Sequence, residues 1–184
     1  ILNDLGKSQE AELSTRKAIE IKPDYAEAHS NLGNILKDLG KLEEAEFSQR
    51  KAIEYKSDYA NAYFNLSLIQ LLQGDYHSGL ENYEFRSKIK QPSILHGNPK
   101  IKKIGSKKLN KGEKILVISE QGLGDTLHFM RYIPYLRKLG LDVSFSAQKN
   151  LHTLIQASGV EPNPLTPEQA NVVSNGKWIP LLSL

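Results

Sequence analysis

Cysteine is absent from the 184 residues. That one absence removes thiol nucleophiles, disulfide frameworks and thiolate metal sites, and it fits a reducing compartment. Long apolar runs are also missing: no stretch approaches the roughly 18 to 20 residues that a bilayer-spanning helix needs. From Ile1 onward the sequence is amphipathic and does not show the basic and apolar regions of a signal peptide, so a cytoplasmic location and no membrane span are expected. Nothing in the composition asks for a cofactor or a metal. At roughly 100 to 200 residues per domain, the length allows one ordinary domain or two small ones.

The charge that is present is unevenly spread. The formal net charge of +3 divides into three zones. Residues 1–86 hold 10 basic and 15 acidic side chains, residues 87–114 hold 9 lysines and the single acid Glu113, and residues 115–184 hold 5 of each.

The first zone repeats itself. Asp24-Tyr25-Ala26-Glu27-Ala28-His29 returns as Asp58-Tyr59-Ala60-Asn61-Ala62-Tyr63, and Asp4-Leu5-Gly6-Lys7 returns as Asp38-Leu39-Gly40-Lys41 and more loosely as Leu72-Gln73-Gly74-Asp75, each time at a spacing of 34. With Ala26 as position 1, Leu32, Gly33 and Leu36 fall at 7, 8 and 11, Ala45 at 20 and Ala52 at 27. Small residues at Gly33, Ala45 and Ala52 would let two antiparallel helices approach closely, while Leu32, Leu36, Ile53 and Leu66 fill the space between them. Gly40 and Gly74 suit the turns, and Pro23 closes one repeat where Ser57 stands in the next.

Period and residue pattern together resemble the tetratricopeptide family. On that register Ile1 is position 10 of a repeat, residues 26–59 form a full repeat, and residues 60 to about 88 form a degenerate third one. Gly79 takes its small position 20, but Arg86 stands at position 27, which points to an end of the array. Asn31 and Asn65 share position 6, with Asn34 at 9. The resemblance to arrays of the O-linked N-acetylglucosamine transferase type implies that these amides line an inner groove and hydrogen-bond an extended peptide backbone, making a protein or peptide the expected partner. The competing reading is three solvated surface asparagines. Lysines of the kind that clamp acidic tails in other arrays are lacking around Ser30 and Ala60.

Residues 89–113 read as a basic linker between the array (1–88) and a third segment (114–184). Lysine is mixed there with glycine, proline and serine, without a helical or strand period. Polyanion binding is disfavoured, because residues 87–114 contain neither arginine for bidentate phosphate contacts nor an aromatic ring for base stacking. Nucleic acid is therefore not an expected partner.

In the third segment, Lys114-Ile115-Leu116-Val117-Ile118-Ser119 predicts a buried parallel strand running into the loop Glu120-Gln121-Gly122-Leu123-Gly124-Asp125-Thr126. Leu127, Met130, Ile133 or Pro134, and Leu136 then mark one face of a helix ended by Gly140, and Leu141–Ser146 predicts a second strand. The loop is neither a full dinucleotide fingerprint, lacking a third glycine, nor a P-loop, lacking Gly-Lys-Ser/Thr. Gly122 and Gly124 permit close backbone approach, and Asp125 or Thr126 is a candidate helix cap.

The run from Glu120 to Pro134 resembles the start of the glycosyltransferase-like region that follows tetratricopeptide arrays in many bacterial proteins. Its Gly-Asp-x-Leu-His core is similar to the first loop of the heptosyltransferases, enzymes of the two-lobed GT-B fold. Gly74-Asp75-Tyr76 with Tyr83–Arg86, and Ile179–Leu184, resemble further parts of such proteins. A Pro-x-Trp element of the family is missing, Pro99-Lys100-Ile101 standing in its place.

The fold class implied is α plus α/β: a helix-hairpin superhelix followed by a partial Rossmann-like lobe. The resemblance implies that Asp125 is the general base towards an acceptor hydroxyl, with Gly122, Gly124, His128 and Arg131 around the substrate. Against this stand an ordinary capping role for Asp125, a packed or exposed His128, and a surface ion pair for Arg131. A nucleotide sugar would need the second lobe, which does not follow Leu184 here, so the segment alone is expected to be catalytically silent. The alternative is a non-catalytic interaction scaffold with a degenerate α/β remnant.

Overall fold

The computed structural model describes residues 7–90, 92–105 and 109–184, and its chain divides into two units, Ile1–Pro92 and Ser93–Leu184. Ile1 and the Asp4-Leu5-Gly6 part of the first repeat lie outside the described residues.

The first unit is a series of helices, α1 (Ser8–Ile21), α2 (Ala26–Asp38), α3 (Leu42–Tyr55), α4 (Ala60–Gln73) and α5 (Tyr76–Tyr83), followed by a 3₁₀ turn over Glu84–Ser87. Consecutive helices pack on one another, and the 34-residue period governs the details. Gly40 and Gly74 adopt φ of 75° and 85°, and each lets the following amide reach back five residues, Lys41 to the Leu36 carbonyl and Asp75 to that of Gln70 (both 2.9 Å). Asp75 also caps α5, its carboxylate accepting from the Ser78 amide at 3.1 Å. At position 4 of successive repeats, the His29 ring nitrogen lies 2.8 Å from the Pro23 carbonyl, and the Tyr63 hydroxyl donates to the Ser57 carbonyl at 3.3 Å.

The small residues stand where helices touch. Ala45, Ala52 and Ala62 are wholly buried, and Leu32, Leu36 and Ile69 pack with Ala45 into a core flanked by Ile19 and Leu42. In the last hairpin a Cβ on Gly79 would come within 2.9 Å of two Leu71 side-chain atoms. The regular helix stops at Tyr83, and Arg86 is buried in the 3₁₀ turn that follows. Its guanidinium donates to the Tyr83 carbonyl (3.2 Å) and the Glu84 carboxylate (2.9 Å) and lies over the Tyr83 ring, so its charge is compensated locally. Beside it Phe85 stacks on Tyr63 at 4.1 Å between ring centres.

The second unit is built on a four-stranded, all-parallel sheet of order β1-β4-β2-β3, comprising β1 (Lys102–Lys103), β2 (Lys114–Ile118), β3 (Asp142–Ser146) and β4 (Lys177–Pro180). After the exposed Lys114, strand β2 is apolar from Ile115 to Ile118 because it is covered on both faces. Ile115 and Val117 join Ile133, Leu136, Phe145, Ile155 and Leu181, while Leu116 and Ile118 meet Ala170, Leu165 and Trp178. Part of the lysine-rich stretch belongs to this unit: Lys102 and Lys103 pair with Lys177 and Trp178, and Leu95 forms an antiparallel bridge with Glu120.

Between β2 and β3 the structure differs from the single expected helix. Two short helices are present, α6 (Leu123–Phe129) and α7 (Tyr132–Lys138). Pro134 has no amide to donate to the Met130 carbonyl and its ring crowds that group, so the α-helical ladder is interrupted. The chain turns there through an Ile133 amide bond to the Met130 carbonyl (3.0 Å) and restarts with Pro134 in its first turn, where no such bond is needed. After β3 come a 3₁₀ turn (Lys149–Leu151), α8 (His152–Ala157) and α9 (Pro167–Asn171), and β4 is followed by a turn over Leu181–Ser183. The fold class is thus α plus α/β, helix hairpins followed by a small parallel sheet.

Candidate functional sites

Two places collect the residues singled out in the sequence. The first is the stripe of α2 that carries Asn31 and Asn34, three residues and so roughly one turn apart. Asn31 is exposed, whereas Asn34 is half-buried and its side-chain oxygen accepts from Gln49 Nε2 of α3 at 3.1 Å. Gln49 also donates to the Ser30 carbonyl (2.9 Å). Asn65, one repeat later on α4, is half-buried and its amide donates to the Ser30 hydroxyl at 3.3 Å. Two of the three asparagines therefore already serve contacts inside the array, and Asn31 is the one presented to solvent.

Charge at the start of the array is organised around Glu12. Arg16 donates to it (2.8 Å) and bridges to Glu44 of α3 (3.1 Å), and Lys41 reaches it at 3.0 Å. The hydrogen bond from Arg16, followed by that from Lys41, holds the Glu12 carboxyl below the usual carboxylate range.

The second place is the loop at the carboxyl end of β2. From this central strand the chain crosses to β3 on one side and later returns to β4 on the other. The loop therefore leaves the sheet where the strand order reverses, the position at which open α/β sheets form a crevice. Gly122 is the N-cap of α6, and Asp125, at the third helical position, folds back so that its carboxylate accepts from the Gly122 amide at 3.1 Å. Asp125 is half-buried, while Gly122, Gly124, His128 and Arg131 are exposed. Thr126 is buried, its hydroxyl 2.9 Å from the Gln148 side-chain oxygen. His128 and Arg131 meet one turn apart, with 3.3 Å between Nε2 and a guanidinium nitrogen, and Arg131 also lies over the Tyr132 ring.

The sequence reading gave no role to the residues that fix this loop. Glu120 is almost fully buried, and its two carboxylate oxygens accept from the Leu182 amide (3.0 Å) and the Ser93 hydroxyl (3.2 Å), tying segments before β1 and after β4 to the end of β2. Gln121 takes a left-handed φ of 61°. Its amide donates to the Ile94 carbonyl (2.8 Å), and its own carbonyl lies 2.9 Å from the His96 ring. An acid one residue beyond a run of apolar strand residues was the available signal, since such a charge must be paired where the strand ends. Among the described residues no group of three His, Asp or Glu side chains is arranged to hold a metal, and no helix is long and apolar enough to cross a membrane.

Comparison with known proteins adds a family to the first unit. Residues 1–40 and 33–74 match the tetratricopeptide repeat family model. Among solved structures, MamA is 28% identical over 48% of this chain and 52% of its own, with a TM-score of 0.45. A TPR2B domain of yeast Sti1, in complex with pHsp70, is 26% identical over 47% and 70%, TM-score 0.45. YrrB, described as a TPR protein with an unusual peptide-binding site, is 22% identical over 48% and 46%, again at 0.45. The chain thus spans about half the length of MamA and of YrrB. No curated relative matches it. Residues 1–74 carry tetratricopeptide repeats.

Proposed function

We propose that this chain is a protein-interaction module, in which the α2 and α4 stripe of the array holds an extended peptide. The observation that carries this is Asn31. It stands exposed at a repeat-defined position, on a helix whose neighbouring polar groups, Asn34 and Asn65, are held in place by Gln49 and Ser30. A side-chain amide offers both donor and acceptor, the pair a peptide unit requires, so it can read a backbone without demanding a sequence. Peptides selected from a display library on the whole chain test it. Their affinity should fall about fivefold or more in Asn31→Ala with helicity unchanged, and indifference to that substitution overturns the reading. Asn31→Ala is a cleaner probe than Asn65→Ala, which also removes a bond within the array.

A second reading, sugar transfer with the α/β unit on the acceptor side, is supported by the position of Gly122, Gly124 and Asp125 at the reversal of strand order. Asp125 would accept the proton of an acceptor hydroxyl, with His128 and Arg131 near the substrate. Incubation with nucleotide sugars tests it. Transfer lost in Asp125→Asn supports the enzyme. Transfer indifferent to Asp125→Asn leaves the interaction module standing alone.

A further inference from the structure

The array contains a cleft that the asparagine stripe does not use. It measures about 550 Å³ and lies over α2 between α1 and α3. Ile19, Leu32 and Leu36 form its apolar lining and Phe47 stands at its edge, 63% exposed. That volume is within the ordinary range for ligand pockets, roughly 300 to 1,000 Å³. On α2 the cleft is lined by His29, Leu32 and Leu36, which follow one another at three and four residues and so share a stripe. At about 100° per residue, Asn31 and Asn34 fall on the opposite side of the same helix. The two surfaces are independent.

The rim carries more acid than base. Glu20 of α1 and Glu43 and Glu44 of α3 line the opening together with Arg16. Arg16 is consumed within the array, paired to Glu12 and Glu44, whereas Glu20 and Glu43 are exposed and enter no ion pair among the described residues. An exposed phenylalanine beside an apolar floor is the kind of aromatic contact enriched at protein interfaces. The uncompensated carboxylates select what can approach it, since they attract cations and repel nucleic acid and anionic lipid.

We propose that this cleft docks a short amphipathic peptide segment of a partner protein, one that places bulky apolar side chains against Phe47 and Ile19, above the buried Leu32 and Leu36, and sets Lys or Arg against Glu20 and Glu43. The apolar contact supplies most of the affinity, and the charge pairs set orientation and association rate. Three positions then separate the contributions. Phe47 reports the apolar contact, while Glu20 and Glu43 report the charge.

The test uses the whole chain and a fluorescein-labelled peptide in which leucine and lysine pairs alternate, read by fluorescence anisotropy. Two control peptides accompany it, one with serine for leucine and one with glutamate for lysine. The leucine-lysine peptide should bind, and both controls should bind at least about tenfold more weakly. Phe47→Ala and the pair Glu20→Lys with Glu43→Lys should each weaken binding about tenfold, with helicity unchanged. Asn31→Ala should have no effect, so this proposal and the groove reading fail separately. Equal binding of the serine control, or unchanged binding in the Phe47 and glutamate variants, overturns the proposal. So does concentration-dependent self-association abolished by Phe47→Ala, which would give the cleft to a second copy of the chain.

Discussion

Gln49 lies across the space that Gly33 leaves empty: a Cβ added to Gly33 would come within 2.6 Å of Gln49 Nε2 and 2.9 Å of its Cδ and Cγ. Gln49 cannot swing aside freely. It is wholly buried and spends its amide hydrogens on the Ser30 carbonyl and Asn34. Gly33→Ala would gain about 1 kcal/mol of helix propensity, but overpacking costs about 1 to 3 kcal/mol and displacing a buried, bonded amide about 1 kcal/mol more. The expected result is a net loss of about 2 kcal/mol, a fall of roughly 10 °C in the helical melting midpoint for a unit of this size. In a Gln49→Ala background the same change should cost clearly less, and additive losses would refute the contact as the cause.

This contact also indicates what could be read in advance. The period of 34 places Gly33, Ala45 and Ala52 together because a close helix crossing needs small residues at fixed spacing, and a repeat displays that need more than once. Strand β2 was legible for a similar reason, as burial on both faces leaves a purely apolar run. What stayed hidden depends on contacts between distant residues. Nothing near Lys102 announces that it pairs with Lys177, and nothing near Ser93 points to Glu120. The break between α6 and α7 was written in Pro134, but the apolar spacing across it imitates one continuous helix. Among the candidate site residues the sequence placed Asp125 at the helix start, while the amide it satisfies became visible only in three dimensions.

Asp125 separates a structural role from a chemical one. Its carboxylate accepts from the Gly122 amide at the start of α6, and loss of such an acceptor costs about 0.5 to 2 kcal/mol. Asp125→Ala should lower the melting midpoint of the α/β unit by several degrees. Asp125→Asn keeps an acceptor oxygen and should lower it by no more than about half as much. If the residue also takes a proton from an acceptor hydroxyl, Asp125→Asn should abolish transfer despite its near-normal stability. Equal melting losses for both variants would contradict the capping account.

Glu12 gives the array an acid-sensitive contact. Its folded carboxyl is held below the usual range by Arg16 and then Lys41. The stability it contributes is therefore present above the unfolded value, near about 4.3, and is lost as pH falls through the lower folded value. Arg16 and Lys41 are 44% and 45% exposed, so water screens the cluster and the contribution should not exceed about 1 kcal/mol. Thermal melts of the wild type and Glu12→Gln should differ by a few degrees at pH 7 and converge below about pH 3. A gap that persists undiminished in acid would show that the carboxylate charge is not responsible.

The approach of β4 to β2 depends on Gly176. Its φ of 93° suits glycine, and a Cβ there would stand 2.6 Å from the Lys114 carbonyl oxygen and 2.9 Å from the Lys114 Cβ. Unlike the neighbour of Gly33, this one is the backbone of a central strand and cannot turn away. The left-handed conformation alone costs a side chain about 1 to 2 kcal/mol, and the clash adds about 1 to 3 kcal/mol. Gly176→Ala should therefore destabilise the sheet by about 3 kcal/mol, which is more than Gly33→Ala costs the array. Trp178, the chain's one tryptophan, lies in β4 two residues on and pairs with Leu116. Its emission is a local reporter, and in Gly176→Ala it should shift towards that of a solvated indole at a midpoint roughly 15 °C below that of the wild type. An unchanged midpoint would mean that β4 reaches β2 without the space that Gly176 provides.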